Sequence, residues 1–244
     1  MQKVLVVGAG GQLGQELQRT SGTDIECLPM TRAQLDIADL AVVTQCLAAV
    51  APQLVINAAS YTAVDKAESE VDAAQRGNVA GPLALAQACA QQGVRLIHIS
   101  TDFVFDGSAS QPYKPDAATA PLGEYGRSKR AGELAVQSVL PQALILRTGW
   151  VYSRYGSNFV KTMLRLMSER DDLAVMADQV GTPTWAHGLA AAVWASAVRP
   201  QLSGIYHWSW LVYTSDAADE EASVKLISRR HNTNKKTYNN DTPS

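Results

Sequence analysis

An α/β fold with a doubly wound parallel sheet is predicted for this chain by three observations. Apolar, β-branched runs recur at Lys3–Val7, Gln53–Asn57 and Val94–Ile99, as expected of strands buried on both faces of a parallel sheet. Stretches of helical composition alternate with them, which is the order that βαβ units require. The first run ends in Gly8-Ala9-Gly10-Gly11-Gln12-Leu13-Gly14 and passes straight into Gln15–Arg19. A strand, a glycine turn and a helix in that order make the Rossmann-type signature.

Composition sets the bounds. The chain has 244 residues, 46% hydrophobic and 18% charged, with a formal net charge of -2. That is enough for one large α/β domain or one with an appendage. The charge balance gives no reason to expect nucleic acid or an anionic membrane as a partner. Cys27, Cys46 and Cys89 are scattered, odd in number and without metal spacing. They read as core residues of a reducing compartment, and no site metal is expected. Met1-Gln2-Lys3 enters the first strand directly, so no signal peptide is read there and a cytoplasmic protein is expected.

In the first unit, glycines permit a tight turn and let backbone N–H groups approach a pyrophosphate at the helix N-terminus. The spacing is Gly8-xx-Gly11-xx-Gly14 rather than GxGxxG, and a plain βα turn is the competing reading. The second strand is expected near Asp24–Leu28. No acidic residue at its end is placed to select NAD through its ribose diol, and Arg32 is nearby, so NADPH is expected to be accepted as well as NADH. Asp36 and Ile37 stand where an adenine edge would lie, although Asp36 is equally suited to cap the helix of Asp39–Val50. After the third strand, Ala58 to Thr62 are small or polar and would let a flat cofactor lie against the backbone. Asn78, inside a helical run to Gln91, reads as a structural residue bonding a neighbouring loop. His98 reads as a core histidine.

Ser100-Thr101-Asp102 follows the fourth strand, at the end of the sheet where ligands bind. A hydroxyl there can hydrogen-bond a carbonyl. About two dozen residues later comes Tyr125-Gly126-Arg127-Ser128-Lys129, whose spacing places Tyr125 and Lys129 on one helix face. The Lys129 ammonium is expected to favour the phenolate of Tyr125 and so ease transfer of its proton to a ketone oxygen gaining charge. On its own the pair is no more than two residues on a helix face. With the glycine turn upstream it points to a nicotinamide-dependent reductase.

At this point the chain resembles the extended short-chain dehydrogenase/reductase superfamily and, within it, the dTDP-4-dehydrorhamnose reductase family. The resemblance is carried by GAGGQLG at 8–14, NAASYTAVDKAE at 57–68, ISTDFVFDG at 99–107, YGRSK at 125–129, LRTGWVYSRYGSNFVKTML at 146–164 and DQVGTPT at 178–184. It implies NAD(P)H-dependent reduction of the C4 ketone of dTDP-6-deoxy-L-lyxo-4-hexulose to dTDP-L-rhamnose, for cell-surface polysaccharide such as lipopolysaccharide O-antigen. Beside the turn glycines Gly8 and Gly14 read above, it implies cofactor contacts from Gly11, Gln12, Leu13, Asp36, Ile37, Ala59, Ser60 and Tyr61, with Tyr125 as proton donor and Lys129 on the nicotinamide ribose. Thr101 and Asp102 would meet the sugar, and Trp150 would pack on the deoxysugar. Phe103 stands where members commonly carry Tyr. The resemblance also implies a smaller C-terminal lobe for the sugar nucleotide, shaped in part by Asp178 and Gln179, and a possible homodimer around Mg2+ held partly by C-terminal glutamates. Residues 1–148 are expected to form the cofactor domain and 149–210 part of the substrate lobe, the two interleaved. Residues 211–244 do not match the motifs and are polar after Ser228, so a disordered or non-native ending is expected there. A non-catalytic NADP-binding regulatory homologue, and a sugar-nucleotide epimerase or dehydratase, are the alternatives on the same fold.

Overall fold

The computed structural model describes residues 1–170, 172–174 and 181–209. In chain order the elements are β1 (Gln2–Val7), α1 (Gln12–Thr20), β2 (Ile25–Met30), α2 (Leu40–Val50), β3 (Leu54–Asn57), α3 (Val64–Ala67), α4 (Val71–Gln75) and α5 (Gly81–Gln92). They continue as β4 (Arg95–Thr101), α6 (Glu124–Val139), β5 (Leu144–Thr148), β6 (Val151–Tyr152), α7 (Phe159–Glu169), β7 (Thr184–Trp185), α8 (Ala186–Ala197) and β8 (Gly204–His207). One sheet has the order β2-β1-β3-β4-β5-β8, every pair parallel. A small parallel pair, β6 and β7, stands outside it.

Alternation along the strands feeds two cores, one on each side of the sheet. Leu5, Val7, Val55, Leu96 and Ile145 point to the side of α2, α5 and α6, where Val43, Leu47, Leu85 and Val136 meet them. Val4, Val6, Leu54, Ile56, Ile97, Leu144 and Leu146 point to the other side and pack on Leu13 and Leu17 of α1 and on Leu189 and Val193 of α8. This is the doubly wound arrangement predicted. Each such fully buried side chain contributes about 1.5–3 kcal/mol by leaving water. α8 and β8 return to the main sheet, whereas β6, α7 and β7 do not.

Local differences from the sequence reading have physical causes. α1 starts at Gln12 because Gly11 takes extended backbone angles as its N-cap. Asp39, not Asp36, caps α2, accepting from the N–H groups of Ala41 and Val42. The helical run through Asn78 is broken at Arg76–Ala80 by one turn of π-helix. Gly8 is required twice over: its φ is +79°, and a Cβ there would lie 2.4 Å from the Ala59 nitrogen. α7 is amphipathic as expected and is capped by Asn158. Asp178, Gln179 and residues 210–244 lie outside the described residues. Among the described residues no helix is long and apolar enough to cross a membrane.

Candidate active site

The strand order reverses between β1 and β3, so a ligand crevice opens beyond their carboxyl ends. One wall is the turn Gly8–Gly11, where the Gly11 N–H donates to the Gly8 carbonyl at 3.0 Å. Gly14 must lack a side chain, since a Cβ would stand 2.3 Å from that same carbonyl oxygen. No side chain caps α1 and no acidic residue occupies its first turn. The N–H groups of Gln12 and Leu13 therefore have no intrahelical acceptor, and the positive end of the helix is available to an anion. The Leu13 side chain is buried in the core, so its backbone is what faces a ligand. These groups fit the pyrophosphate of a dinucleotide.

The opposite wall is Ala58 to Tyr61, and Asn78 fixes it. Asn78 is fully buried. Its Oδ1 accepts from Ser60 Oγ (2.8 Å) and the Tyr61 N–H (2.9 Å), and its Nδ2 donates to the Tyr61 carbonyl (3.1 Å) and Ser128 Oγ (3.1 Å). The π-turn aims this side chain between the wall and α6. Asn57 Oδ1 holds the Ala59 N–H at 3.0 Å. Past β2, Asp36 accepts from the Ala38 N–H and pairs with Arg76, which with that backbone bond holds its carboxyl below the usual range. Ile37 packs against Gly81, where a Cβ would lie 2.7 Å from Ile37 Cδ1. Arg32 is exposed nearby. Arg76 was not singled out by the sequence, because its partner lies forty residues away.

The catalytic candidates meet at the carboxyl end of β4. Thr101 is the last residue of that strand, and its hydroxyl accepts from the Phe103 N–H at 3.2 Å and donates to Asp102 Oδ1 at 3.2 Å. Tyr125 lies in the first turn of α6, edge-on to Phe103 at 5.6 Å. Gly126 lets that turn press onto the Phe103 backbone, whose oxygen a Cβ would meet at 2.2 Å. Lys129 is 2% exposed, and its Nζ donates to the Ile99 carbonyl at 2.7 Å. The Asp102 residue is exposed, yet its carboxylate lies against Gly149, where desolvation raises its pKa against the hydrogen bond from Thr101.

The electrostatics correct one expectation. The net shift of the Tyr125 phenol is upward, so the neighbouring Lys129 does not bring it below its ordinary value. Burial pushes the phenol up to about 12, the Asp102 charge adds to this, and a hydrogen bond with Thr101 opposes it. Burial likewise lowers the Lys129 ammonium to about 8, against the pull of Glu133. The reason is burial, nearly complete for Lys129 and partial for Tyr125 between α6 and β4, which disfavours charge on either. One of the three ammonium hydrogens goes to the Ile99 carbonyl, which leaves two for other partners. The result is a firmly protonated phenol beside a strand-end hydroxyl, which suits a proton donor.

Trp150 stands at the other side of Asp102, beyond Gly149. Its φ of +51° is a strained conformation for a large side chain. It is held there by the Thr184 N–H on its carbonyl (3.1 Å), by Phe159 edge-on at 5.7 Å, and by Gly181 beneath the indole. The partly exposed ring is therefore oriented by several contacts at once. Gln12 reaches the same region, with its Oε1 accepting from Asn158 Nδ2 at 2.9 Å. A cavity of about 350 Å³ between Gly156 and Arg165 contains none of the candidate residues, and its lining residues Gly156 and Asn158 both lie against Gln12. Among the described residues no group of His, Cys, Asp or Glu is placed to hold a metal.

A family model described as "RmlD substrate binding domain" matches residues 1–230. The chain belongs to that family. The match runs past residue 210, beyond the motifs that carry the resemblance. A relative from Sinorhizobium fredii (strain NBRC 101917 / NGR234) named dTDP-4-dehydrorhamnose reductase is 46% identical over 213 residues, covering 85% of this chain and 72% of its own. A crystal structure of a dTDP-4-dehydrorhamnose reductase from Clostridium acetobutylicum is 40% identical with a TM-score of 0.83, over 86% of this chain and 74% of that one. The dTDP-4-dehydrorhamnose reductase from Bacillus anthracis, solved in complex with NADP, is 38% identical with a TM-score of 0.83, over 86% and 75% of the two chains. Membership in the RmlD family accounts for the Rossmann-like parallel sheet with its additional C-terminal part.

Proposed function

We propose that this chain reduces the C4 ketone of dTDP-6-deoxy-L-lyxo-4-hexulose to the alcohol of dTDP-L-rhamnose, using NADPH or NADH. The observation that carries the reading is the convergence of Thr101, Tyr125 and Lys129 at the carboxyl end of β4, in a member of this family. The bound nicotinamide supplies the hydride. The backbone of Gly8, Gly11, Gln12, Leu13 and Gly14 holds the pyrophosphate, and Asp36, Ile37 and Arg32 lie along the adenosine. Ala59, Ser60 and Tyr61 line the channel. Lys129 holds the nicotinamide ribose.

Thr101 and Tyr125 hydrogen-bond the C4 oxygen of the sugar. Tyr125 gives its proton to that oxygen as negative charge develops there. The phenolate left behind is the charged species, and the Lys129 ammonium one turn along α6 is the positive charge that steadies it. Asp102 contacts the sugar, and the Trp150 indole packs on the C–H face of the ring. Residues 1–148 act as the cofactor part and the segment from 149 contributes the substrate lobe, with α8 and β8 returning to the sheet. The same reading carries a cytoplasmic site of action and a homodimer.

The test is NADPH consumption by the purified chain with the 4-keto sugar nucleotide, with product identified by chromatography. Consumption matched by dTDP-L-rhamnose is expected. NADPH binding without consumption would replace the reductase by a regulatory homologue. Tightly copurifying NAD with sugar isomerisation would replace it by an epimerase.

A further inference from the structure

Glu133 lies one turn beyond Lys129 and two turns beyond Tyr125 on α6, on the same face. It is fully buried. Its Oε1 accepts from Ser100 Oγ at 2.6 Å and from Arg147 Nε at 2.7 Å. Its Oε2 accepts from Arg147 Nη2 at 2.7 Å and from Arg130 Nη1 at 2.8 Å. Three elements are thereby tied at one carboxylate. β4 enters through Ser100, which sits between Ile99, whose carbonyl holds Lys129, and Thr101. β5 enters through Arg147, which precedes Thr148, Gly149 and Trp150. Arg147 also donates to the Pro115 carbonyl at 3.2 Å and lies 5.0 Å over the Phe105 ring, so the loop before α6 hangs on the same node.

A buried ion pair is a poor way to add stability, because an apolar pair of similar volume often does as well. What it adds is direction: a bidentate guanidinium–carboxylate pair fixes orientation as well as distance. We propose that Glu133 is a positioning residue, which sets Lys129 and Tyr125 against Thr101 and supplies the negative charge that Lys129 feels. The kinetic side of this inference rests on the reductase reading above. The other charged or titratable groups coupled to the node or to Lys129 are Arg130 on α6, Arg147 on β5, His98 on β4 and His207 on β8. Burial depresses both histidines, His98 well below its usual value and His207 to about 4, so they are neutral at neutral pH. Glu133 is the charge that holds the Lys129 ammonium up against its burial.

The experiment compares Glu133→Gln with the parent in two readouts. One is the Lys129 Nζ titration, followed by NMR in lysine-15N protein and assigned with Lys129→Arg. The other is the fall of kcat at high pH. Both are expected to move to lower pH by about one unit, with KM for the sugar nucleotide within about threefold. Glutamine leaves Arg147 buried without a counter-charge, which threatens folding. The pair variant Glu133→Met with Arg147→Met removes both charges together, and a smaller displacement in the same direction is expected, since loss of the Arg147 cation offsets part of it. Ser100→Ala leaves every charge in place. Its Lys129 titration should stay put while kcat falls about tenfold, as for a small misplacement of reacting groups. A Lys129 titration unmoved in the folded charge variants, or an unchanged kcat in Ser100→Ala, overturns the inference. If neither charge variant folds, Ser100→Ala decides. A parent that turns over no 4-keto sugar nucleotide sinks the reductase reading instead, and the Lys129 titration still decides the role of Glu133.

Discussion

Replacing Lys129 by methionine is expected to stabilise the protein at neutral pH, by an amount that disappears as pH rises. Lys129 is 2% exposed, and burial lowers its ammonium from the usual 10.5 to about 8. Stability follows the difference in protons bound by the unfolded and folded states. Below about 8 both states are charged, and the folded state bears the full penalty of the buried ammonium. Between about 8 and 10.5 the folded state loses its proton while the unfolded chain keeps it, so stability rises with pH. Above 10.5 both are neutral and the penalty is gone. At about 1.4 kcal/mol per pH unit, a lowering from 10.5 to about 8 amounts to about 3 kcal/mol. Methionine keeps the apolar packing but forfeits the bond from Nζ to the Ile99 carbonyl, which offsets about 1 kcal/mol. The variant should therefore be about 2 kcal/mol more stable at pH 7, and no more stable than the parent near pH 10.5. Urea unfolding of both proteins across this range measures the difference, and the other titrating groups are common to the two. A difference flat in pH, or a variant less stable at pH 7, would refute the argument. Turnover should be lost in the same variant, a case of function held at the expense of stability.

Tyr125→Phe removes the proton donor and should abolish turnover while leaving NADPH affinity within about threefold, as judged by calorimetry, since a single hydroxyl distant from the pyrophosphate wall is lost. Trp150→Ala should weaken sugar-nucleotide binding by about tenfold and spare NADPH; equal loss of both ligands would make Trp150 a packing residue only. Asn78→Ala strips acceptors from Ser60 and the Tyr61 N–H. It should cost about 1–3 kcal/mol in unfolding free energy and weaken NADPH more than dTDP; an unchanged melting temperature would contradict the role given to the π-turn.

Much of this architecture is legible in the sequence because it is local. The run Lys3–Val7, the glycines after it and the helix that follows share one short stretch, and Gly8 satisfies a positive φ and a close approach to Ala59 at once. The YxxxK spacing gives a shared helix face, and α6 provides it. What was not legible depends on partners distant in sequence. Nothing near Asn78 marks a π-turn, whose use becomes clear only when Tyr61 and Ser128 arrive on either side. The pairing of Arg147 with Glu133 needs β5 laid beside α6. The eased proton loss expected of Tyr125 fails for the same reason: spacing gives the neighbour, whereas burial gives the dielectric, and burial won. Asp36 and Asp39 were both suited to cap α2 by residue type, and the backbone chose the one adjacent to Leu40.

The most direct test of the central claim is a transfer experiment with NADPH carrying deuterium at both nicotinamide C4 positions and the 4-keto sugar nucleotide as acceptor. The account predicts one deuterium at C4 of the sugar in dTDP-L-rhamnose formed by the parent, and none with Tyr125→Phe. Altered sugar without deuterium at C4, or transfer undiminished without the Tyr125 hydroxyl, would contradict it.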